Sequence, residues 1–85
     1  MLLEIVTPKA TIYRGEIVLV KVPGSMGSFA VMNNHAPLTS TLEPGQIKVV
    51  ELDRTELFFD ISDVGVIDVK KNHVVVLSDS ITKAE

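Results

Sequence analysis

Residues 56–70, with the sequence ELFFDISDVGVIDVK, indicate the fold more clearly than any other part of the chain. Apolar and polar side chains alternate in both halves of this stretch. Phe59 and Ile61 fall on one face of the first half, and Ile67 and Val69 fall on one face of the second. Alternation with a period of two is typical of a β-strand that has one buried face and one wet face. The stretch therefore predicts two half-buried strands joined by a turn.

Short apolar runs of the same kind fill the rest of the chain, and proline and glycine separate them. Val, Ile, Leu, Thr and Phe dominate these runs, which recur about every 8–12 residues, as in all-β domains. The predicted strands are residues 2–6, 11–22 (bent near residues 14 and 15), 28–32, 37–42, 46–52, 56–62, 65–70 and 73–78. Residues 80–85 are too few to assign. The pattern predicts a single all-β domain over residues 1–85.

Length and composition argue against several classes of protein. A chain of 85 residues makes one small domain. The absence of cysteine excludes disulfides, thiolate metal sites and a thiol nucleophile. The net charge of −3 leaves no basic face that could neutralise nucleic-acid phosphates. No apolar stretch approaches the roughly 18 residues of a membrane-spanning helix. We therefore expect no nucleic-acid partner and no segment inserted in a membrane.

The apolar content is high for a small domain, at 46% of the residues. Residues 17–22 and 74–77 are apolar on nearly both strand faces, whereas an antiparallel sandwich strand commonly has one polar face. Two explanations stay open. A curved sheet or a covering loop could bury the second face, or the second face could be a docking surface for another protein.

No pattern of catalytic or metal-binding residues emerges. Ser40 and His35 lack a nucleophile-elbow sequence such as G-x-S-x-G. His35 and His73 lie far apart, and no histidine pair has the spacing of a zinc site. The glycine-rich segment VPGSMGSFAV has neither the lysine nor the helix of a phosphate-binding loop. We therefore expect no catalytic residue, no metal and no cofactor, and only a tight turn at residues 24–28.

Residues 33–45, NNHAPLTSTLEPG, hold a histidine in a turn-forming context. The two asparagines favour a turn because Asn tolerates left-handed backbone angles. Ala36 precedes Pro37, which favours extended backbone at Ala36. His35 either orders this loop through a neighbouring backbone group or contacts a partner, and the residues alone leave both possibilities open.

Three segments, in their order and spacing, resemble the epsilon subunit family of the F-type proton-translocating ATP synthase, which is called delta in mitochondria. They are GSFAVMNNHAPL, LEPGQIKVV and GVIDVKKNHVVVLSDS. The opening LEIVTPKATIYRGEIVLVKVPGSMG is also similar, with Tyr13-Arg14-Gly15 leading into a strand that ends in a glycine-rich turn. The resemblance covers essentially the whole chain, and its most diagnostic part is His-Ala-Pro-Leu with a downstream Pro-Gly.

The resemblance implies a flattened β-sandwich of about 8–10 short strands and a non-catalytic function. Members of the family belong to the central stalk, or rotor. They link the gamma subunit to the ring of c subunits, with only an indirect relation to the alpha/beta head, and so couple proton flow to ATP synthesis. The implied location is peripheral, on the cytoplasmic face of the bacterial plasma membrane or an organellar equivalent, and it is reached through the complex rather than by insertion.

The resemblance also implies contact residues. Those expected at the c ring are Gly24, Ser25, Met26, Gly27, Ser28 and His35. Those expected at the gamma subunit are Ala36, Pro37, Phe58, Val74 and Val76. Val75 and Leu77 are the alternative outward pair, because a shift of one residue in register inverts a strand. Many relatives have a glutamate near the position of Ser28. Serine carries no charge, so an ion pair from this turn to the ring is not expected here.

Most members of the family continue past the sandwich as a helical hairpin that can inhibit ATP hydrolysis. This sequence ends at Glu85, so we expect the sandwich domain without that hairpin and carry over no inhibitory function. The alternative function is a small β-barrel module that binds a ligand or nucleic acid. The acidic balance and the lack of paired aromatic residues for base stacking argue against it. A stand-alone enzyme is a third possibility.

Overall fold

The computed structural model describes residues 1–84, and Glu85 lies outside the described residues. Residues 1–84 form nine β-strands: β1 (Leu2–Val6), β2 (Thr11–Val22), β3 (Phe29–Met32), β4 (Leu38–Leu42), β5 (Gly45–Glu51), β6 (Glu56–Ile61), β7 (Gly65–Lys70), β8 (His73–Ser78) and β9 (Ile81–Ala84). Every strand predicted from the sequence is present, with ends that differ by at most one residue. Within this range, no helix is long and apolar enough to cross a membrane.

Strand β9 is the element that the sequence pattern missed. It has only four residues, which is too short a run for a period to be recognised. It forms because β6 offers a free edge, along which Phe58 pairs with Ala84 and Ile61 pairs with Ile81. The side chain of Ile81 completes the core at this end of the molecule.

Strand β2 belongs to two sheets. Its first half pairs with β1, and its second half pairs with β3 on one side and β5 on the other. A register shift between Ile17 and Leu19 marks the change, later in the strand than the predicted bend at Arg14 and Gly15. Sheet A then has the order β4-β7-β8-β1-β2, and sheet B has the order β3-β2-β5-β6-β9. Strands β1 and β8 pair in parallel, and the other pairs are antiparallel.

The inner faces of the two sheets share one apolar core. Sheet A contributes residues of β1, β4, β7 and β8, and sheet B contributes residues of β3, β5, β6 and β9. The alternation in residues 56–70 is confirmed, since Phe59, Ile61, Ile67 and Val69 are all buried. The all-β sandwich expected from the sequence is therefore confirmed.

The outward orientation expected for Val74 and Val76 is wrong. Both side chains are fully buried. In β8, Val74 pairs with Leu3 of β1 and Val76 pairs with Ile5, and these two partners are also fully buried. Val75 and Leu77 therefore point outward, because neighbouring residues of a strand face opposite sides.

Tyr13, in the first half of β2, links sheet A to residues of β5 and β6 in sheet B. Its hydroxyl donates a hydrogen bond of 2.6 Å to Glu51 Oε2. Its ring packs edge to face against Phe59, with 5.7 Å between the ring centroids. Gly15 makes room for this arrangement, because a Cβ atom there would lie 2.7 Å from the Tyr13 hydroxyl oxygen. Burial, and then the bond to Glu51, raise the pKa of Tyr13 above its ordinary value.

We expect the domain to lose stability above pH 10 and the Tyr13→Phe variant to lose less. In the unfolded chain Tyr13 has a pKa of about 10, and in the folded chain its pKa is higher. The unfolded state therefore releases this proton first, so the free energy of unfolding falls as the pH rises above 10. Urea unfolding between about pH 8 and pH 11 measures the effect. The two proteins differ only at residue 13, so equal losses in the two would contradict the prediction.

Candidate functional site

Residues 24–28 connect β2 to β3, and we call them the glycine turn. Gly27 has a φ of 122°, a backbone angle that residues with a Cβ atom rarely adopt. The backbone N–H of Ser25 donates to the carbonyl oxygen of Thr41 over 3.0 Å, and Thr41 Oγ1 donates to Ser25 Oγ over 2.8 Å. These bonds hold the turn on β4 and leave the Met26 side chain fully exposed at its tip. The tight turn expected from the sequence is therefore present.

Residues 33–37 connect β3 to β4, and we call them the histidine loop. His35 Nδ1 lies 2.7 Å from the carbonyl oxygen of Ala36, so a protonated Nδ1 donates to it. The backbone N–H of Asn34 donates to Asn72 Oδ1 over 2.8 Å, and the amino group of Met1 donates to Asn33 Oδ1 over 2.8 Å. Of the two possibilities for His35, the bond to a neighbouring backbone group is present. Contact with a partner stays a prediction, and all five loop residues are exposed.

The structure separates the glycine turn from the histidine loop. They lie at the two ends of β3, whose four residues span roughly 13 Å. In the described part of the chain, β3 pairs only with β2, and β4 pairs with β7 and has on its other side only a bridge from Leu42 to Gly24, so both strands lie at sheet edges. The expected c-ring residues therefore form a strip along one side of the sandwich rather than a compact site. Ala36 and Pro37 belong to the loop at one end of this strip.

Sheet A has an apolar patch on its outer face, made of Val64, Val66 and Leu77. These side chains are exposed by 67%, 40% and 47% of their full areas. Val66 pairs with Leu77 across β7 and β8, and Val64 lies in the preceding loop. Leu77 belongs to the alternative outward pair expected from the sequence, whereas the sequence did not indicate the two valines as contact residues. The outward position of Val66 could have been predicted from the sequence, because Val66 precedes the buried Ile67 in the alternating pattern of residues 56–70.

A cavity of about 430 Å³ lies between the glycine turn and the apolar patch. Its walls come from four parts of the chain, namely the glycine turn, the end of β4, the start of β7 and the end of β8. The lining residues are Ser25, Thr41, Leu42, Val64, Gly65, Val66, Leu77, Ser78 and Asp79. The two surfaces are therefore continuous through this cavity.

Charged residues border the apolar patch on the outer face of sheet A. Glu4 Oε1 lies 2.7 Å from His73 Nε2, and Glu4 Oε2 lies 3.6 Å from Arg14 Nε. Glu4 pairs with Val75, and His73 begins β8 at the end opposite Leu77, so the patch is confined to the end of the face near the glycine turn. Within residues 1–84, no group of three or more His, Asp or Glu side chains could hold a metal ion.

Phe58 lies on the outer face of sheet B, away from the apolar patch. It pairs with Lys48 and Ala84 and is half-buried. Its neighbours Phe59 and Leu57 point toward the core, as the alternation predicted. The residues expected at the gamma subunit therefore divide among three places: Phe58 on sheet B, Ala36 and Pro37 in the histidine loop, and the buried pair of β8.

Comparison with known proteins agrees with this architecture. The family model for the ATP synthase delta/epsilon chain, beta-sandwich domain, matches residues 1–84. The chain belongs to this family. Among its delta/epsilon relatives, the ATP synthase epsilon chain of Campylobacter hominis is 38% identical over 79 residues, and that of Dichelobacter nodosus is 32% identical over 80 residues. The resemblance seen in the sequence is thus confirmed.

The alignments cover 93% and 94% of this chain but only 61% of the Campylobacter protein and 55% of the Dichelobacter protein. The chain thus spans little more than half the length of these delta/epsilon relatives.

The delta/epsilon sandwich fold also recurs in solved structures. A chain of the Euglena gracilis mitochondrial ATP synthase superposes with a TM-score of 0.88 at 18% identity, over 95% of this chain and 51% of that one. A chain from the central stalk and c ring of the Tetrahymena thermophila mitochondrial ATP synthase gives a TM-score of 0.78 at 16% identity, over 95% and 64%. At these identities the likeness shows a common fold.

Proposed function

We propose that this chain is a non-catalytic subunit in the central stalk of an F-type ATP synthase. It links the gamma subunit to the c ring, so that proton-driven rotation reaches the alpha/beta head without slip. The observation that carries this proposal is the match of the delta/epsilon sandwich family to residues 1–84.

Two candidate surfaces, which adjoin at the cavity but expose different side chains, support a linking function, because a linking subunit must hold two partners at once. The strip formed by the glycine turn and the histidine loop is assigned to the c ring, with Met26 and His35 at its ends. The apolar patch on sheet A is assigned to the gamma subunit, because exposed apolar patches rimmed by polar groups are typical of protein interfaces.

The mechanism in this proposal is mechanical. Two hydrogen-bonded sheets around one core resist deformation, since interiors are close-packed and have low compressibility. A torque applied at the strip is therefore passed on to the patch. ATP synthesis takes place in the alpha/beta head, and the domain lies at the membrane surface, on the cytoplasmic face in a bacterium, held by its partners.

Add-back to complexes that lack this subunit tests the proposal. We expect the wild-type chain to bind the gamma subunit at about micromolar concentration and to restore proton pumping per ATP hydrolysed. The Met26→Asp variant should still bind gamma but restore less pumping, because its new charge lies on the strip and outside the lining of the cavity. Failure of the wild-type chain to bind gamma would contradict the proposal. Salt-sensitive binding to single-stranded DNA would favour the alternative module instead.

A further inference from the structure

We propose that the cavity beside the apolar patch receives a lysine or arginine side chain of the gamma subunit, with its charged group at Asp79. This inference rests on the proposed function and specifies the chemistry of the partner at that surface. Three properties of the cavity support it: its apolar wall, its single ionisable group and its hydroxyl groups.

The apolar wall suits the stem of a long cationic side chain. Val66 and Leu77 form a cross-strand pair on this wall, and Val64 continues it into the loop. Lysine and arginine commonly lay their methylene groups along apolar surface while the charged end reaches a polar site. Such a stem would cover the three side chains that form the patch.

The electrostatics of the lining suit a positive charge. Asp79 is the one ionisable residue among those that line the cavity in the described part of the chain. No hydrogen bond or ion pair joins its carboxylate to another residue of the range 1–84, whereas nearby Asp63 accepts a bond of 2.7 Å from the N–H of Val64. The Asp79 carboxylate is therefore available to a partner.

The polar wall offers further acceptors. Ser25 and Thr41 line the side opposite the patch, and their hydroxyl oxygens are 2.8 Å apart. Each oxygen keeps lone pairs that an ammonium or guanidinium group can use. Both residues are exposed at the cavity, so the contact requires no rearrangement of the glycine turn.

Other occupants match the cavity less well. An anionic group would meet the like charge of Asp79. A purely apolar side chain would cover the Asp79 carboxylate without giving it a partner, and an unpaired buried charge is costly. A cation with an apolar stem can pack its stem on the apolar wall and pair its charge with the Asp79 carboxylate.

Titration calorimetry with purified gamma subunit tests the inference. We expect Asp79→Asn to weaken binding about tenfold and to reduce the dependence of affinity on salt concentration. Asp60→Asn is the matched control, because Asp60 is an exposed carboxylate on the outer face of sheet B and makes the same change in charge. The control should bind like the wild type. Thermal unfolding of Asp79→Asn should also match the wild type, because its carboxylate has no internal partner.

The outcomes separate this inference from the proposed function. If the wild-type chain does not bind gamma, the proposed function itself fails. If the wild type binds and Asp79→Asn has the same affinity and the same salt dependence, the inference is overturned. Weaker binding by Leu77→Ala would not rescue it, because loss with Leu77→Ala but not with Asp79→Asn indicates an apolar occupant of the cavity. An alanine scan of the lysines and arginines of gamma should reveal one position whose effect is non-additive with Asp79→Asn.

Discussion

The Phe59→Ala variant is expected to lose about 3–5 kcal/mol of its free energy of unfolding. Phe59 is only 1% exposed and is among the largest fully buried side chains of the core. Its removal leaves a cavity between the sheets and deprives Tyr13 of its aromatic neighbour. A domain of this size has a total stability of roughly 4–13 kcal/mol, so this one change removes a large share. Urea unfolding at neutral pH measures it.

Phe58→Ala is the control for this prediction. Phe58 is the adjacent residue on the same strand, and it points away from the core. Because it is only half-buried, we expect its truncation to cost about 1 kcal/mol. Equal losses in the two variants would mean that the alternation in β6 does not separate core from surface.

The Leu77→Asp variant is expected to bind the gamma subunit about 30-fold more weakly than the wild type, an effect typical of a central interface residue. Leu77 is 47% exposed and lines the cavity together with Val64 and Val66. A charge there opposes burial against a partner but remains hydrated in the free domain. The melting temperature should therefore change little. Calorimetric titration with gamma and a thermal scan of the free domain provide the two measurements.

Phe58→Asp is the matched variant on the other sheet. The sequence predicts that this change weakens gamma binding more than it lowers the melting temperature. Phe58 and Leu77 lie on opposite outer faces, so a single flat interface cannot contain both. The exposed patch and its cavity favour sheet A, and we expect Leu77→Asp to cause the larger loss. A larger loss with Phe58→Asp would move the gamma surface to sheet B and remove the basis for the Asp79 contact.

The apolar residues that the sequence has in excess lie in two kinds of place in the structure. In β2, Ile17, Val20 and Val22 are buried, while Val18 and Leu19 are half-buried, because the strand passes from one sheet to the other. In β8, the inward pair joins the core and Leu77 stays exposed. The explanation by curvature therefore applies to β2, and the explanation by a docking surface is the one proposed for the end of β8.

The sequence by itself determined strands β1 to β8, their ends to within one residue and the inward faces of β6 and β7. It could do so because the side-chain period of an extended backbone is two, and because polar residues such as Asp60 and Asp68 mark the outer side. The motifs around the histidine loop also indicated the family. These are local properties, which need no knowledge of the neighbouring strands.

Only the tertiary structure decided which face of β8 is outside, where β9 pairs, and how the contact residues are distributed. Residues 74–77 are all apolar, and the polar residues at the two ends of β8, His73 and Ser78, fall on opposite faces. Polarity therefore does not set the orientation of β8, and pairing with β1 decides it. The four residues of β9 are too few to show a strand pattern by themselves, and they become a strand only by pairing with the edge of β6. The cavity at Asp79 depends on residues far apart in sequence, such as Ser25 and Leu77, which only the packing of two sheets brings together.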